Sequence, residues 1–391
     1  MDFNDSPEEA GFRQQVCTWL RDHAHDYVIG GDHADVPKFI AKARAWQRKK
    51  AEQGYAAIRW PKAEGGLEGS PMQEVIFQDE EARHELPVGP FVTIGTQMAV
   101  PTIRTHGTPE QIEQFTQPTL RGDLLWCQLF SEPAAGSDLA NVRTRAIKQG
   151  NEWVINGQKV WTSWAHVADW GILLARTDSE ATKHKGLTFF IVDMRSPGID
   201  VRPIRQISGV SEFNEVFLTD LRIPDCYRVG EVGDGWKCAI TTLMNERINI
   251  GGESQALPTV SELIKQVERQ LGQQDKFKIA QLLTQEMGLR YFRYRLLTSL
   301  SKGETPGPIA AMSKLVYTNT LQQLSALGLD AIGLDGLQQP NEKFQHGYEW
   351  SAALRIAGGT DEILRNQIAE RVLGLPGEIR VDKNIPFSQC R

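Results

Sequence analysis

The sequence predicts an α+β chain in three consecutive blocks: helical, then largely antiparallel sheet, then helical again. Three observations lead there. From about Glu8 to Pro118 the apolar residues keep helical spacing. From about Leu125 to Val232, short apolar runs bounded by turn residues take over, as in strands. After Gly235, long helical periods return. The expected domain bounds are 1–124, 125–233 and 234–391. No G-x-G-x-x-G turn and no repeated strand–helix unit occurs, which excludes a doubly wound nucleotide-binding sheet.

In the first block, ARAWQRKKAEQG reads as a helix closed by Gly54 as its C-cap. IRWPKAEGGLEGSP, rich in glycine and bounded by proline, reads as a loop. SPMQEVIFQDEEARHELP reads as a helix with Pro71 in its first turn and Pro87 just past its end. In the middle block, NEWVINGQKVWTS reads as two short strands joined by a hairpin at Asn156–Gly157, a pair that favours tight two-residue turns. WGILLART, GLTFFIVDM and NEVFLTDLRIP supply further strands. In the last block, WKCAITTLMNERINIGG, FKIAQLLTQEMGLRYFRYRLLTSLSKG and IAAMSKLVYTNTLQQLSALGLDAIG are long helices, with the turn GETPGP between the last two.

Composition narrows the function. Apolar residues are 40% and charged residues 24% of 391, an ordinary balance for an enzyme in solution, and the net charge is -6. There is no basic tract and no zinc-finger spacing, so a nucleic-acid partner is not expected. No apolar run approaches membrane-spanning length. The acidic start MDFNDSPEEA does not read as a signal peptide. Cys17, Cys127, Cys226, Cys238 and Cys390 are scattered and odd in number, read as reduced thiols of a cytoplasmic protein, and suggest no metal site.

Four ordered motifs are more specific: LFSEPAAGSD at Leu129–Asp138, GQKVWTSWAHVADW, FNEVFLTDLRIP followed by VGDGW, and GGTDEILRNQIAERVLGLP. With them the chain resembles the acyl-CoA dehydrogenase family over nearly its whole length. That resemblance implies an N-terminal helical domain, a central antiparallel β-barrel domain and a C-terminal four-helix bundle. It implies FAD as cofactor and α,β-desaturation of an acyl-CoA thioester. It also implies electron-transfer flavoprotein, or a similar acceptor, as the electron partner.

The resemblance assigns roles residue by residue. Gln128, Leu129 and Ser131 match the loop against the flavin pyrimidine edge, where reduced flavin gathers negative charge and donors are needed. Ser137 matches a serine that contacts the CoA arm. Trp161 matches an aromatic that shields the flavin, and Ser163 a hydroxyl residue at flavin N5. Trp164 departs from an asparagine seen in some relatives, and His166 reads as structural. Gly359, Thr360 and Glu362 fall at a helix start suited to the FAD pyrophosphate, with Thr360 as a candidate cap.

The stretch IAGGTDEILRN raises the question of the base. In several relatives the position of Gly358 is the catalytic glutamate; here only the backbone N–H remains, to donate to the thioester carbonyl. Other relatives, such as the isovaleryl and long-chain enzymes, carry the glutamate on the first helix of the C-terminal domain. Glu246 in MNERINIGG matches it, with Arg247 beside it as a substrate-side residue. Read alone, Glu246 is a helix-surface or ion-paired glutamate. Gly251, Gly252 and Gly358 leave room for a branched or bulky acyl group, though a medium straight chain also fits; the resemblance to heteromeric family members implies steroid side-chain CoA thioesters as a further candidate.

Two departures from the family concern assembly. The region RQLGQQDKFKIAQLL lacks the Arg-x-x-Phe-Gly element that reaches a neighbour's FAD, although Arg269 or Lys276 are available substitutes. LSALGLDAIGLDG lacks the usual glutamine and Gly-Gly-x-Gly turn. The expected assembly is therefore a homotetramer or an α2β2 heterotetramer with a related chain. Two rival functions stay open: a non-catalytic partner subunit, and an O2-using, oxidase-like flavoenzyme.

Overall fold

The computed structural model describes residues 5–29, 35–249, 257–267, 273–302, 307–334, 338, 343–382 and 384–390. The side chains of 245–249, 267, 273, 274, 297, 300 and 301 stay outside the description. In the first block, α1 (Pro7–His23) opens on a capping box: Ser6 Oγ accepts from Glu9 N–H, and Glu9 accepts from Ser6 N–H. Helix α2 (Val36–Glu52) is followed by Gly54 in the left-handed region. Helix α3 (Pro71–Glu81) starts behind a second capping box at Ser70. Val16, Leu20, Trp46 and Phe77 join these three helices in one core. The turn α4 (Gly89–Phe91), a π-helix at Val92–Ala99, α5 (Val100–His106) and α6 (Pro109–Leu120) complete the block.

The strands are β1 (Trp126–Leu129), β2 (Arg145–Gln149), β3 (Glu152–Lys159), β4 (Trp170–Arg176), β5 (Leu187–Asp193), β6 (Ile199–Pro203), β7 (Asn214–Pro224) and β8 (Arg228–Val229). They form one sheet in the order β6-β7-β3-β2-β4-β5-β8, with β1 beside β4. Pairing is antiparallel except β1 with β4, and the single pair Arg145–Arg176 that joins β2 to β4. Strands β4 and β5 carry continuous apolar runs, 170–175 and 189–192, because both faces are buried. Ile172, Leu174, Phe189 and Ile191 face a core shared with the helices, while Leu173, Phe190 and Val192 face Ile155, Leu218 and Leu221 of β3 and β7.

The expected central β-barrel is not formed. The sheet curls until its halves share a core, but the end strands β6 and β8 do not pair. Strand β8 has only two residues, and β6 carries Asp200, Arg202 and Pro203, a charged edge that lacks one N–H. The expected hairpin at Asn156–Gly157 is also overturned, since β3 runs straight through both residues and its hairpin partner β2 precedes it. The register against β7 shifts there, as in a β-bulge. Gly157 is required by close approach, because a Cβ would lie 2.4 Å from Thr144 Oγ1. Asn156 bonds sideways: its Nδ2 donates to Asp220 Oδ1 at 3.0 Å and its Oδ1 accepts from Asp220 N–H at 2.9 Å.

The last block holds α7 (Gly235–Asn249), α8 (Val260–Val267), α9 (Gln273–Ser301), α10 (Ala311–Ile332), α11 (Lys343–Leu354) and α12 (Asp361–Arg371). Val260, Leu263, Ile279, Leu282, Leu324 and Phe344 draw α8 to α11 into a helix bundle. Helix α7 instead packs through Cys238 and Ala239 against Met98, Ile103 and Phe189. Most of the expected GETPGP turn, residues 303–306, lies outside the described residues.

Candidate active site

Two strand ends build the first half of the site. Strand β1 delivers Gln128, half-buried, and Leu129, fully buried, and the chain then turns through Ser131. Strand β3 ends at Lys159 and leads into Trp161 and Ser163. The two turns are tied by Val160 N–H donating to Ser131 O at 2.9 Å. Behind them lies a buried latch that sequence reasoning missed. Lys159 Nζ, with no exposed surface, donates to Phe130 O at 2.9 Å, Leu174 O at 2.8 Å and Glu132 Oε1 at 2.9 Å. Glu132 also accepts from the N–H groups of Arg143 at 2.6 Å and Thr144 at 2.8 Å.

Burial pushes the Lys159 ammonium down to about 8 against the pull of Glu132. Burial would raise the Glu132 carboxyl, but Lys159 and the N–H bonds outweigh it and hold it below its ordinary value. Three acceptors around Lys159 Nζ and three donors around the Glu132 carboxylate suit an ionised pair. The only trace of this pair in the sequence is a lysine inside a strand and a glutamate inside the SEP turn.

The loop after β3 is strained. Trp161 and Trp164 have φ of 60° and 61°, a region bulky residues seldom adopt. Asn214 pins the loop: Thr162 N–H donates to Asn214 O at 3.0 Å, and Asn214 N–H returns to Thr162 O at 3.1 Å. Asn214 Nδ2 adds a bond to Thr162 O at 2.9 Å. His166 Nδ1 meets Asn214 Oδ1 at 3.2 Å, and burial lowers its pKa. The loop nevertheless leaves Trp161 60% exposed, its ring edge-on to Phe213 at 6.0 Å.

Phe213 leads to the second half, since its ring stacks on Trp350 of α11 at 5.8 Å and 8°. Helix α11 runs toward Gly358 and Gly359, whose φ values are 64° and 96°. Lys314 Nζ donates to Gly359 O. Thr360 is the N-cap of α12, its hydroxyl accepting from Ile363 N–H at 3.2 Å. Arg355 braces the turn from Asp361, at 2.7 Å. Glu362 and Ser137 are exposed. Glu246 and Arg247 fall within α7, one turn beyond Thr242, and their side chains lie outside the described residues. Gly251 and Gly252 lie wholly outside them.

The residues present fit a flavin. The Thr162 hydroxyl is buried with no protein partner, half-buried hydroxyls stand on either side at Ser131 and Ser163, and an exposed aromatic face lies beside them. The Gly358–Thr360 turn adds a helix start, capped by Thr360, whose positive dipole end suits a phosphate. Among the described residues no cluster of metal ligands occurs, and no helix is long and apolar enough to cross a membrane.

Residues 6–123, 127–221 and 233–373 match the N-terminal, middle and C-terminal domains of acyl-CoA dehydrogenase. The chain belongs to the acyl-CoA dehydrogenase family. It is a member of an enzyme family whose cofactor is FAD. It is 41% identical over 376 residues to acyl-CoA dehydrogenase FadE34 of Mycobacterium tuberculosis, covering 94% of this chain but 51% of that one. It thus spans about half the length of FadE34. It is 39% identical to acyl-CoA dehydrogenase IpdE1 of the same organism, covering 94% of this chain and 98% of the relative. Among solved structures, a chain of the ChsE4-ChsE5 complex from Mycobacterium tuberculosis superposes with a TM-score of 0.83 at 27% identity, over 97% of this chain and all of that one. A chain of the Tcur3481-Tcur3483 steroid ACAD superposes at 0.82 and 26% identity, with the same coverage.

Proposed function

We propose that the chain carries out α,β-desaturation of a bulky, steroid-type acyl-CoA thioester, with Glu246 as the base. The observation that carries this reading is the aromatic row Trp161–Phe213–Trp350, which brings the strained β3 loop to the helix before Gly358. FAD, when bound, supplies the hydride acceptor. Gln128, Leu129 and Ser131 would hold its pyrimidine edge and Ser163 its N5 edge, and the Trp161 ring would shield it. Gly359, Thr360 and Glu362 would hold the pyrophosphate end. Ser137 and Arg247 bind the substrate.

Gly358 supports a base from another element. At φ 64° a glutamate would be strained by roughly 1–2 kcal/mol, whereas glycine is not, and the backbone N–H remains to polarise the thioester carbonyl. Glu246, on the first helix of the last block, would then take the α-proton. Replacing Glu246 with Gln tests this. Acyl-CoA and FAD should stay bound while flavin bleaching slows at least about a hundredfold. Bleaching near the wild-type rate would sink the assignment.

The likeness to chains of the ChsE4-ChsE5 and Tcur3481-Tcur3483 assemblies favours an α2β2 heterotetramer over a homotetramer, with electron-transfer flavoprotein or a similar acceptor taking the electrons. Expressed alone, the chain should then hold little FAD; with a related chain it should form an α2β2 complex by light scattering. A homotetramer with one FAD per chain and full activity refutes that assembly. Release of peroxide instead of dye reduction would mark an oxidase.

A further inference from the structure

Away from the flavin loops, one buried cation ties together three segments that are distant in sequence. Lys183, on the β4–β5 connection, is 6% exposed and donates to Asp138 Oδ2 at 2.7 Å and to Asp382. Burial opposes its charge, but the two carboxylates prevail and raise its pKa. The Lys183 carbonyl accepts from Arg176 Nη1 at 2.7 Å, and Arg176 Nη2 reaches the carbonyl of Ala140 at 2.6 Å. The Arg176 guanidinium lies 3.7 Å from the centre of the Phe387 ring. Phe387 N–H donates to Ala181 O at 2.9 Å and Ser388 N–H to Ser179 O at 2.8 Å, and Pro386 bridges Thr182, so residues 386–388 are laced along the β4–β5 connection. One residue past Lys183, His184 meets Trp236, in the first turn of α7, edge-on at 4.7 Å.

We infer that Asp382 and residues 384–388 form a strap that sets the Ser137–Asp138 turn for the CoA arm of the substrate, with Lys183 as the positioning residue. Ser137 and Asp138 are themselves exposed, so burial does little to hold the turn. Lys183 holds it from one side through Asp138, and Arg176 from the other through Ala140. Both depend on the strap, Lys183 through Asp382 and Arg176 through Phe387. The same connection touches the start of the helix that carries Glu246, through His184 on Trp236. This rests on the acyl-CoA reading above.

The test compares wild type with Lys183→Met, Asp382→Asn and Phe387→Ala in the FAD-loaded protein. The substrate is the acyl-CoA that wild type turns over best, and coenzyme A alone serves as a calorimetric probe. KM and the dissociation constant for coenzyme A should rise about tenfold in Lys183→Met and less in the other two. The kcat, the flavin content and the flavin spectrum should stay within about twofold of wild type. In Ser137→Ala the lysine change should add little, since both act on one contact. If Lys183→Met does not fold, Asp382→Asn and Phe387→Ala decide. Unchanged KM and coenzyme A affinity, or a fall in kcat and flavin content with KM intact, would overturn the strap. A wild type that turns over no acyl-CoA would instead overturn the reading beneath it.

Discussion

Replacing Lys159 with Met removes a cation but keeps a side chain of similar length. Three bonds go: to Phe130 O, Leu174 O and Glu132. Glu132 keeps its two backbone N–H donors but loses its counter-ion, at 8% exposure. Removing one partner of such a buried pair costs about 3–5 kcal/mol. At about 2–4 °C per kcal/mol for a large domain, melting should fall by about 6–20 °C at neutral pH. The sign with pH follows from Glu132. In wild type its folded pKa is depressed, so its contribution is present above the ordinary carboxylate range and lost as pH falls through it. In Lys159→Met burial prevails and the pKa rises, so the deficit should shrink toward pH 5, where a protonated Glu132 needs no counter-ion. Adding Glu132→Gln should recover part of the loss at neutral pH. Scanning fluorimetry at pH 7.5 and pH 5, with flavin content as a second readout, checks all three. A deficit under about 1 kcal/mol, or one equal at both pH values, would refute the latch.

Ser163→Ala should leave the fold intact, shift the flavin spectrum and slow flavin reduction roughly 5–30-fold, the equivalent of one lost hydrogen bond of about 1–2 kcal/mol; stopped-flow absorbance measures it. Gly157→Ala forces a Cβ to 2.7 Å from Thr144 Cα, so urea midpoints should show a loss of about 1–3 kcal/mol. Burial pushes the Asp225 carboxyl up, but donors from Trp153, Arg228 and Lys148 hold it at about 2, against an ordinary 3.8. Its contribution is therefore present above pH 3.8 and lost toward pH 2. Asp225→Asn should melt lower than wild type at pH 6, and the gap should close on acidification.

Strands β4, β5 and β7 were legible because their apolar runs are long enough to be buried on both faces or to alternate cleanly. The helices were legible through caps and prolines, as at Ser70–Pro71. What failed needed partners remote in sequence. Asn156–Gly157 has a turn's composition, yet Thr144 and Asp220 give both residues strand roles. Whether a curled sheet closes depends on two edge strands whose lengths no local pattern states. The π-helix at Val92–Ala99 has the apolar spacing of an α-helix. At the site, the motifs named the loops, while the Lys159–Glu132 latch and the Asn214 clamp appeared only once the fold brought the turns after β1 and β3, and the start of β7, together.

The aromatic row bears on how the protein matures. A tryptophan kept in a left-handed backbone and 60% exposed is unfavourable on both counts until something flat covers it. Its next neighbours are Phe213, one residue before β7, and beyond it Trp350 of the helix bundle. Any ligand that settles on that ring is thereby in register with the seam between the two. Loading the ligand and seating the bundle become a single equilibrium, in which each step raises the other's constant. The chain without its ligand should accordingly be soft at this seam and firm elsewhere, with amide exchange in α11 slowing as the ligand binds.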